Sequence, residues 1–255
     1  MKRVLLAMMM VIMISVCTAC QKEESDEVIR TFIAGYNEGS EEDVSCDGAR
    51  VLMNLFQDGT AEFYVAQIED GVHTTAQYKG TYTLGENAEY DETISISYSY
   101  AEAGKAEIKE AVIIDGCFEM PFYFIDEMSE QALGFYETSP ASMDGEVYIG
   151  YKTKVSGMGP MVYAYALCLK EDNSFDVSIM QMASVMHVWG ETSGTYAADG
   201  ENVTFTYDIC TSEGELVSAD EISEGTNYTD TTLVSAFNIE QASMRATAAP
   251  FIKVK

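Results

Sequence analysis

The chain has two histidines, His73 and His187, and they stand 114 positions apart. Trp189, the one tryptophan, follows His187 by two positions, so in a strand the two rings point the same way. Ligand pockets combine aromatic walls with a few polar groups, which makes His73, His187 and Trp189 the candidate ligand-binding residues. The competing reading is inheritance: a duplicated histidine that satisfies a backbone carbonyl or faces water. Tyr163 and Tyr165 share a strand face that can stack on a sugar or belong to a core. Met180, Met182 and Met186 are either an adaptable surface or core filler. Carboxylates crowd the turns, at Glu69 with Asp70, Glu89 with Asp91 and Glu92, and Asp199 with Glu201. Such groups ligate calcium or pair as acid and base in glycoside hydrolysis. In a chain with 42 acidic residues, neighbouring solvated carboxylates are expected anyway, so no metal ligand is assigned.

Nucleophilic and metal templates are missing. The histidine spacing rules out a two-histidine zinc helix. No serine stands three positions before a lysine after the leader, and no glycine-rich run ends in Gly-Lys-Ser or Gly-Lys-Thr. Gly190-Glu191-Thr192-Ser193-Gly194 has the outline of a nucleophile elbow, but threonine holds the nucleophile position and a strand follows. The reading is of a protein that is not an enzyme and has no cofactor. A hydrolase using paired carboxylates stands as the less favoured alternative.

Residues 1–19 must be set aside before the fold is considered. Lys2 and Arg3 precede an apolar run from Val4 to Val16, shorter than the roughly 20 residues that span a bilayer, and then comes Cys17-Thr18-Ala19-Cys20. Small residues before a cysteine resemble the lipobox of bacterial lipoproteins. The resemblance implies that Cys20 becomes the lipidated first residue and that the body is held outside the cytoplasm on the bacterial cell membrane. An ordinary secretory signal and an uncleaved anchor are the alternatives. Without Lys2 and Arg3 the formal charge moves from −28 to −30. That repels phosphate backbones and excludes nucleic acid as a partner. Cys46, Cys117, Cys168 and Cys210 are candidates for two disulfides, Cys46–Cys117 and Cys168–Cys210, or are free buried thiols.

The elements that position these residues are strands. Gln57-Asp58-Gly59-Thr60 and Asp172-Asn173 read as hairpin turns, and Thr93 to Tyr100 alternates cleanly between apolar and polar residues. Asp58, His73, Gly80, Thr81 and Tyr82 recur 114 positions later as Asp172, His187, Gly194, Thr195 and Tyr196. At Val203 and Tyr207 the offset to Ile94 and Tyr98 drops to 109, which places an insertion in a hairpin loop of the first unit. The chain therefore reads as a duplication. The expected organisation is a tether with a short helix over 20–45, a β repeat over 46–137 and a second over 146–255. The helix rests on Ser25 as N-cap and on the spacing of Val28, Ile29, Phe32, Ile33 and Tyr36. Asp126 to Gly134 reads as a helical turn, and Asp220 to Tyr228 as loop.

The expected fold is all-β: a duplicated antiparallel meander forming either two small barrels or one sandwich. The order L-x-L-x-x-D-G, then G-T-Y, then an alternating strand resembles lipocalin-like domains of secreted bacterial lipoproteins, although the G-x-W signature is missing. The functional expectation is a cell-surface, lipid-anchored binding module for a small ligand, carbohydrate or protein partner. The alternative is a structural or interaction lipoprotein with filled β cores.

Overall fold

The computed structural model describes residues 27–37, 47–87, 92–100, 104–123, 130–156, 159–183, 186–210, 216–238 and 248–255. These residues form sixteen strands and no helix. The first half holds β1 (Val28–Asn37), β2 (Gly48–Phe56), β3 (Thr60–Glu69), β4 (Val72–Gly85), β5 (Glu92–Tyr100), β6 (Gly104–Ile113), β7 (Cys117–Tyr123) and β8 (Glu130–Thr138). The second holds β9 (Glu146–Ser156), β10 (Gly159–Leu169), β11 (Ser174–Ala183), β12 (Met186–Asp199), β13 (Asn202–Cys210), β14 (Leu216–Gly225), β15 (Thr232–Ser235) and β16 (Ala249–Lys253). Each half is one antiparallel sheet of eight strands, ordered β6-β5-β4-β3-β2-β1-β8-β7 and β14-β13-β12-β11-β10-β9-β16-β15. The meander thus returns its last two strands to the side of its first. One sheet nearly closes into a barrel and the other forms a half-barrel.

Three sequence expectations are corrected. The segment expected as an N-terminal helix is β1. Its apolar spacing suits a helix, but Val28, Ile29, Thr31 and Ile33 are β-branched, and Phe32 and Tyr36 are aromatic, types that favour a pleated surface. β1 lies between β2 and β8, and residues 31–35 are buried on both faces, so the alternation that marks a half-buried strand is lost. Glu130 to Gly134 belongs to β8 rather than to a helical turn, and Asp220 to Gly225 belongs to β14 rather than to a loop.

The duplication is visible in the register. β3 and β4 recur as β11 and β12 with the offset of 114. Gly80 faces Tyr98 and Gly194 faces Tyr207, so the offset of 109 holds across the next ladder. Only glycine fits at these two points: a Cβ would lie 2.3 Å from the Ser97 carbonyl oxygen at Gly80 and 2.0 Å from that of Thr206 at Gly194. Two residues on, the Tyr82 hydroxyl donates to the Phe56 carbonyl at 2.8 Å and the Tyr196 hydroxyl to that of Lys170 at 3.1 Å. The G-T-Y motif is therefore a device for closing one end of each sheet onto the preceding hairpin. The hairpins match too: Asp58 accepts from the Thr60 amide and Asp172 from that of Ser174.

Alternation along the central strands divides the apolar residues among three cores. Val51, Met53 and Leu55 of β2 point into the first sheet, with Phe32, Phe63, Tyr98, Phe122 and Phe135. Tyr163, Tyr165, Leu167 and Leu169 of β10 point into the second, around Phe175, Phe205 and Phe237. The opposite faces carry Ile33, Leu52 and Ala66 from the first half and Ile149, Val162, Ala164, Ala166 and Met180 from the second. These form a third core between the sheets. Both concave faces are filled by side chains.

The halves pack as a two-fold pair. Phe32 faces Met53, and Tyr148 faces Leu167, so Phe32 and Tyr148 are equivalent. Glu137 faces Phe32, and Lys253 faces Tyr148, so these are equivalent as well. Across the interface β1 meets β9, β8 meets β11 and β12, and β16 meets β3 and, through the His73–Lys253 bond, β4. Each contact has its mirror, the pattern of an isologous interface between identical subunits. His73, at the start of β4, reaches the end of the second sheet marked by Lys253, and His187, at the start of β12, reaches the Asp115 turn of the first. The two sheets therefore run antiparallel. The end at which β1 starts lies beside the end at which β12 starts, and the Asp172 hairpin lies at the far end.

Candidate functional site: an acidic trough at the far end

The far end of the second sheet is where the two halves differ most in chemistry. In the first half Arg30 ties its end together. It makes a forked pair with Glu137, at 2.7 and 2.6 Å, and reaches across to Glu92 at 2.5 Å. The equivalent of Arg30 is Glu146, two residues before Tyr148, and it pairs at 2.7 Å with Lys253, the equivalent of Glu137. The ion pair is kept with its polarity reversed. With a carboxylate at position 146, the span made by Arg30 has no counterpart, and this end remains a trough of about 810 Å³.

Leu169, Lys170, Tyr196 and Tyr228 line the trough together with Asp144, Glu146, Glu171, Asp172 and Asp230. Tyr148 lies below them, fully buried where the first half has Phe32, and its hydroxyl donates to Glu146 at 3.2 Å. The Tyr148 and Tyr228 rings pack with centroids 6.5 Å apart. Burial first, then the carboxylate of Glu146 among its neighbours, pushes the Tyr148, Tyr196 and Tyr228 phenols upward, so they stay protonated donors. Lys170 and Lys253 are already paired, Lys170 with Asp176 at 2.5 Å. The field in the trough is negative. Hydrogen bonds from Ser174 to Asp172 hold that carboxyl below its usual range. Among the described residues no group of three or more His, Cys, Asp or Glu side chains is arranged to hold a metal ion.

The residues singled out in the sequence go elsewhere. His73 and His187 lie in different places, each at the boundary between the halves. The His73 Nε2–H donates to the Lys253 carbonyl at 2.9 Å. Burial pushes the His73 imidazole below its ordinary value, against the opposing pull of that bond. His187 meets the Asp115 carbonyl through Nδ1 and the Glu137 carbonyl at 3.1 Å through Nε2. Because Glu137 and Lys253 are equivalent, the two histidines make the same bond from opposite sides. They are paired fasteners of the fold, and they line neither concave face. Trp189 does stand beside His187, with ring centroids 4.7 Å apart, but on the surface and 43% exposed. Tyr163 and Tyr165 are buried in the second core, and Met180 fills the core between the halves.

Among the described residues Cys117, Cys168 and Cys210 are free thiols. Cys168 faces the core between the halves and Cys210 the core inside the second sheet, so one sheet separates them. Cys117 sits 3.5 Å from the Met182 sulfur, and burial, with Asp115 and Glu137 nearby, pushes its thiol up to about 12. Cys20 and Cys46 lie outside the described residues, as do Glu89 and Asp91. Thr192 donates to the Asp208 carbonyl at 2.8 Å inside β12, which runs through residues 190–194 as regular strand with no turn.

Sequence reasoning missed Arg50. It is fully buried at the interface, donates to the carbonyls of Tyr36, Ala49 and Tyr151, and lies 5.6 Å over the Tyr151 ring. It also missed the trough, whose walls come from four separate stretches of chain. The reversal of Arg30 to Glu146 was a usable signal, but only once β1 is known to be a strand equivalent to β9. No protein family, characterised protein or solved structure matches this chain.

Proposed function

We propose that the protein is a cell-surface, lipid-anchored binding module that holds a neutral carbohydrate in the acidic trough. One observation carries the reading: the halves repeat each other's turns, ladders and interface, yet this one end has exchanged a cross-braced arginine for an open, tyrosine-lined trough. Its volume suits an oligosaccharide, since ligand sites run from roughly 300 to 1,000 Å³. Carboxylates accept strong hydrogen bonds from sugar hydroxyls, and tyrosine offers an apolar face with a polar tip. The negative field disfavours phosphorylated or sulfated ligands. The filled concave faces support an outer site over an interior one. They equally suit the second reading, an interaction lipoprotein that meets a protein partner through its surface.

Titration calorimetry against neutral gluco- and chito-oligosaccharides separates the two. The expected result is binding that Tyr228→Ala and Asp230→Asn each weaken by about tenfold or more, while Trp189→Phe leaves it unchanged. No heat with any of these sugars, or binding indifferent to Tyr228→Ala, would remove the carbohydrate reading and leave the protein partner.

A further inference from the structure

We infer that the end of the molecule where β1 begins rests against a neutral lipid surface. Seven large apolar side chains are exposed among the described residues, and five of them gather at this end: Ile29, Leu84 and Ile114 from the first half, and Val155 and Trp189 from the second. Ile29 opens β1, Leu84 closes β4 and Ile114 precedes the Asp115-Gly116 turn. Val155 is near the end of β9 and Trp189 near the start of β12. The antiparallel packing of the halves brings these five positions to one level, because His187 binds the carbonyl of Asp115 itself. Only Val72 and Ile222 are exposed away from this end.

The occupant follows from where the chain leaves. This inference rests on the lipid-anchored reading. From Cys20 to Glu27 the chain can extend at most about 25 Å, so an acylated Cys20 holds this end within that distance of the bilayer. Trp189 is the side chain type that settles at the level of lipid headgroups, and exposed Lys154 beside Val155 extends the match, since lysine directs its charge outward from an apolar stem. Asp58, Glu86 and Asp115 at the same end are acidic, which excludes an anionic surface and points to a zwitterionic one. Apolar contacts at this end would add to the attachment that the lipidated Cys20 supplies, by burying further apolar surface. The geometry also turns the trough away from the membrane, since the Asp172 hairpin lies at the opposite end.

The single tryptophan makes the test direct. The full chain is purified from membranes, its N-terminal mass is measured, and it is reconstituted into phosphatidylcholine vesicles with plain or brominated acyl chains. Comparing the two vesicles at one pH removes any effect of His187 on the indole. Bromine should lower Trp189 emission by about twofold, as expected for an indole at the headgroup level. A Trp189→Phe/Val72→Trp chain, with its indole at the other end, should show no such loss. If the mass shows acylated Cys20 and the chain floats with the vesicles while Trp189 is unquenched, this inference is wrong and the anchored reading stands. An N-terminus without acyl groups, with a chain that does not float, overturns both.

Discussion

At the residue scale, the histidines show how a duplicated side chain misleads. Their rarity and the neighbouring tryptophan suggested a pocket, and the rule that places His187 and Trp189 on one face was correct. What periodicity does not show is which sheet the other half presents to that face. His73 lies partly buried against a carbonyl, and its neutral form is the one the fold favours. The unfolded chain therefore binds the proton more readily, so this group's contribution is present above about pH 6.5 and is lost as pH falls through the lowered value of the folded state. Denaturant unfolding of the wild type and His73→Gln at pH 7.5 and pH 5 should show the wild type more stable by about 1 kcal/mol at the higher pH. The difference should shrink or reverse at the lower pH. A difference constant with pH would mean that the imidazole binds its proton equally well in the folded and unfolded chain, and a difference larger at pH 5 would mean that the ring is protonated in the fold.

At the element scale, the strongest sign of common descent is a pair that has changed its charges. Arg30 and Glu137 bridge β1 and β8, and Glu146 and Lys253 bridge β9 and β16 at the equivalent place. The pairing geometry has been retained while the polarity was reversed. Reversing only one member in the first half, with Arg30→Glu, puts carboxylates at positions 30, 92 and 137 together and should cost about 2 kcal/mol, discounted for partial solvent screening. Adding Glu137→Lys should recover more than half of that loss in the same unfolding measurement, because it recreates the pair of the second half. A double variant no better than the single would show that Glu92 dominates the site. Strand identity explains much of what was legible. Thr93 to Tyr100 and Met161 to Leu169 were readable because turns bound them and at least one face is uniform. β1 was not, since a strand buried on one face in the first core and on the other against β9 has no period of two to display. The trough was illegible for a related reason: its tyrosines come from β12 and the loop after β14, and only the closed register brings them together.

At the scale of the whole molecule, the described residues form two eight-stranded sheets with three cores, and the third decides how the rest is used. The duplication, the offset of 114 and its change to 109 were all in the sequence, and so was the all-β class. Whether two repeats make two bodies or one was not, because Leu52, Ala164 and Met180 read as ordinary strand residues until the faces they occupy are known. Burying them together fixes the sheets antiparallel, places the trough opposite the start of β1, and occupies both histidines. If the third core joins the halves, they must unfold together. The direct measurement is equilibrium unfolding in urea followed by two probes, Trp189 fluorescence, which reports the second half and its boundary with the first beside His187, and far-ultraviolet circular dichroism, which reports both halves. Coincident transitions in the wild type, separating into two when Leu52→Asp places a charge in the third core, are the predicted result. A wild-type Trp189 transition that stands apart from the dichroism would mean that the halves are independent, and it would contradict the account.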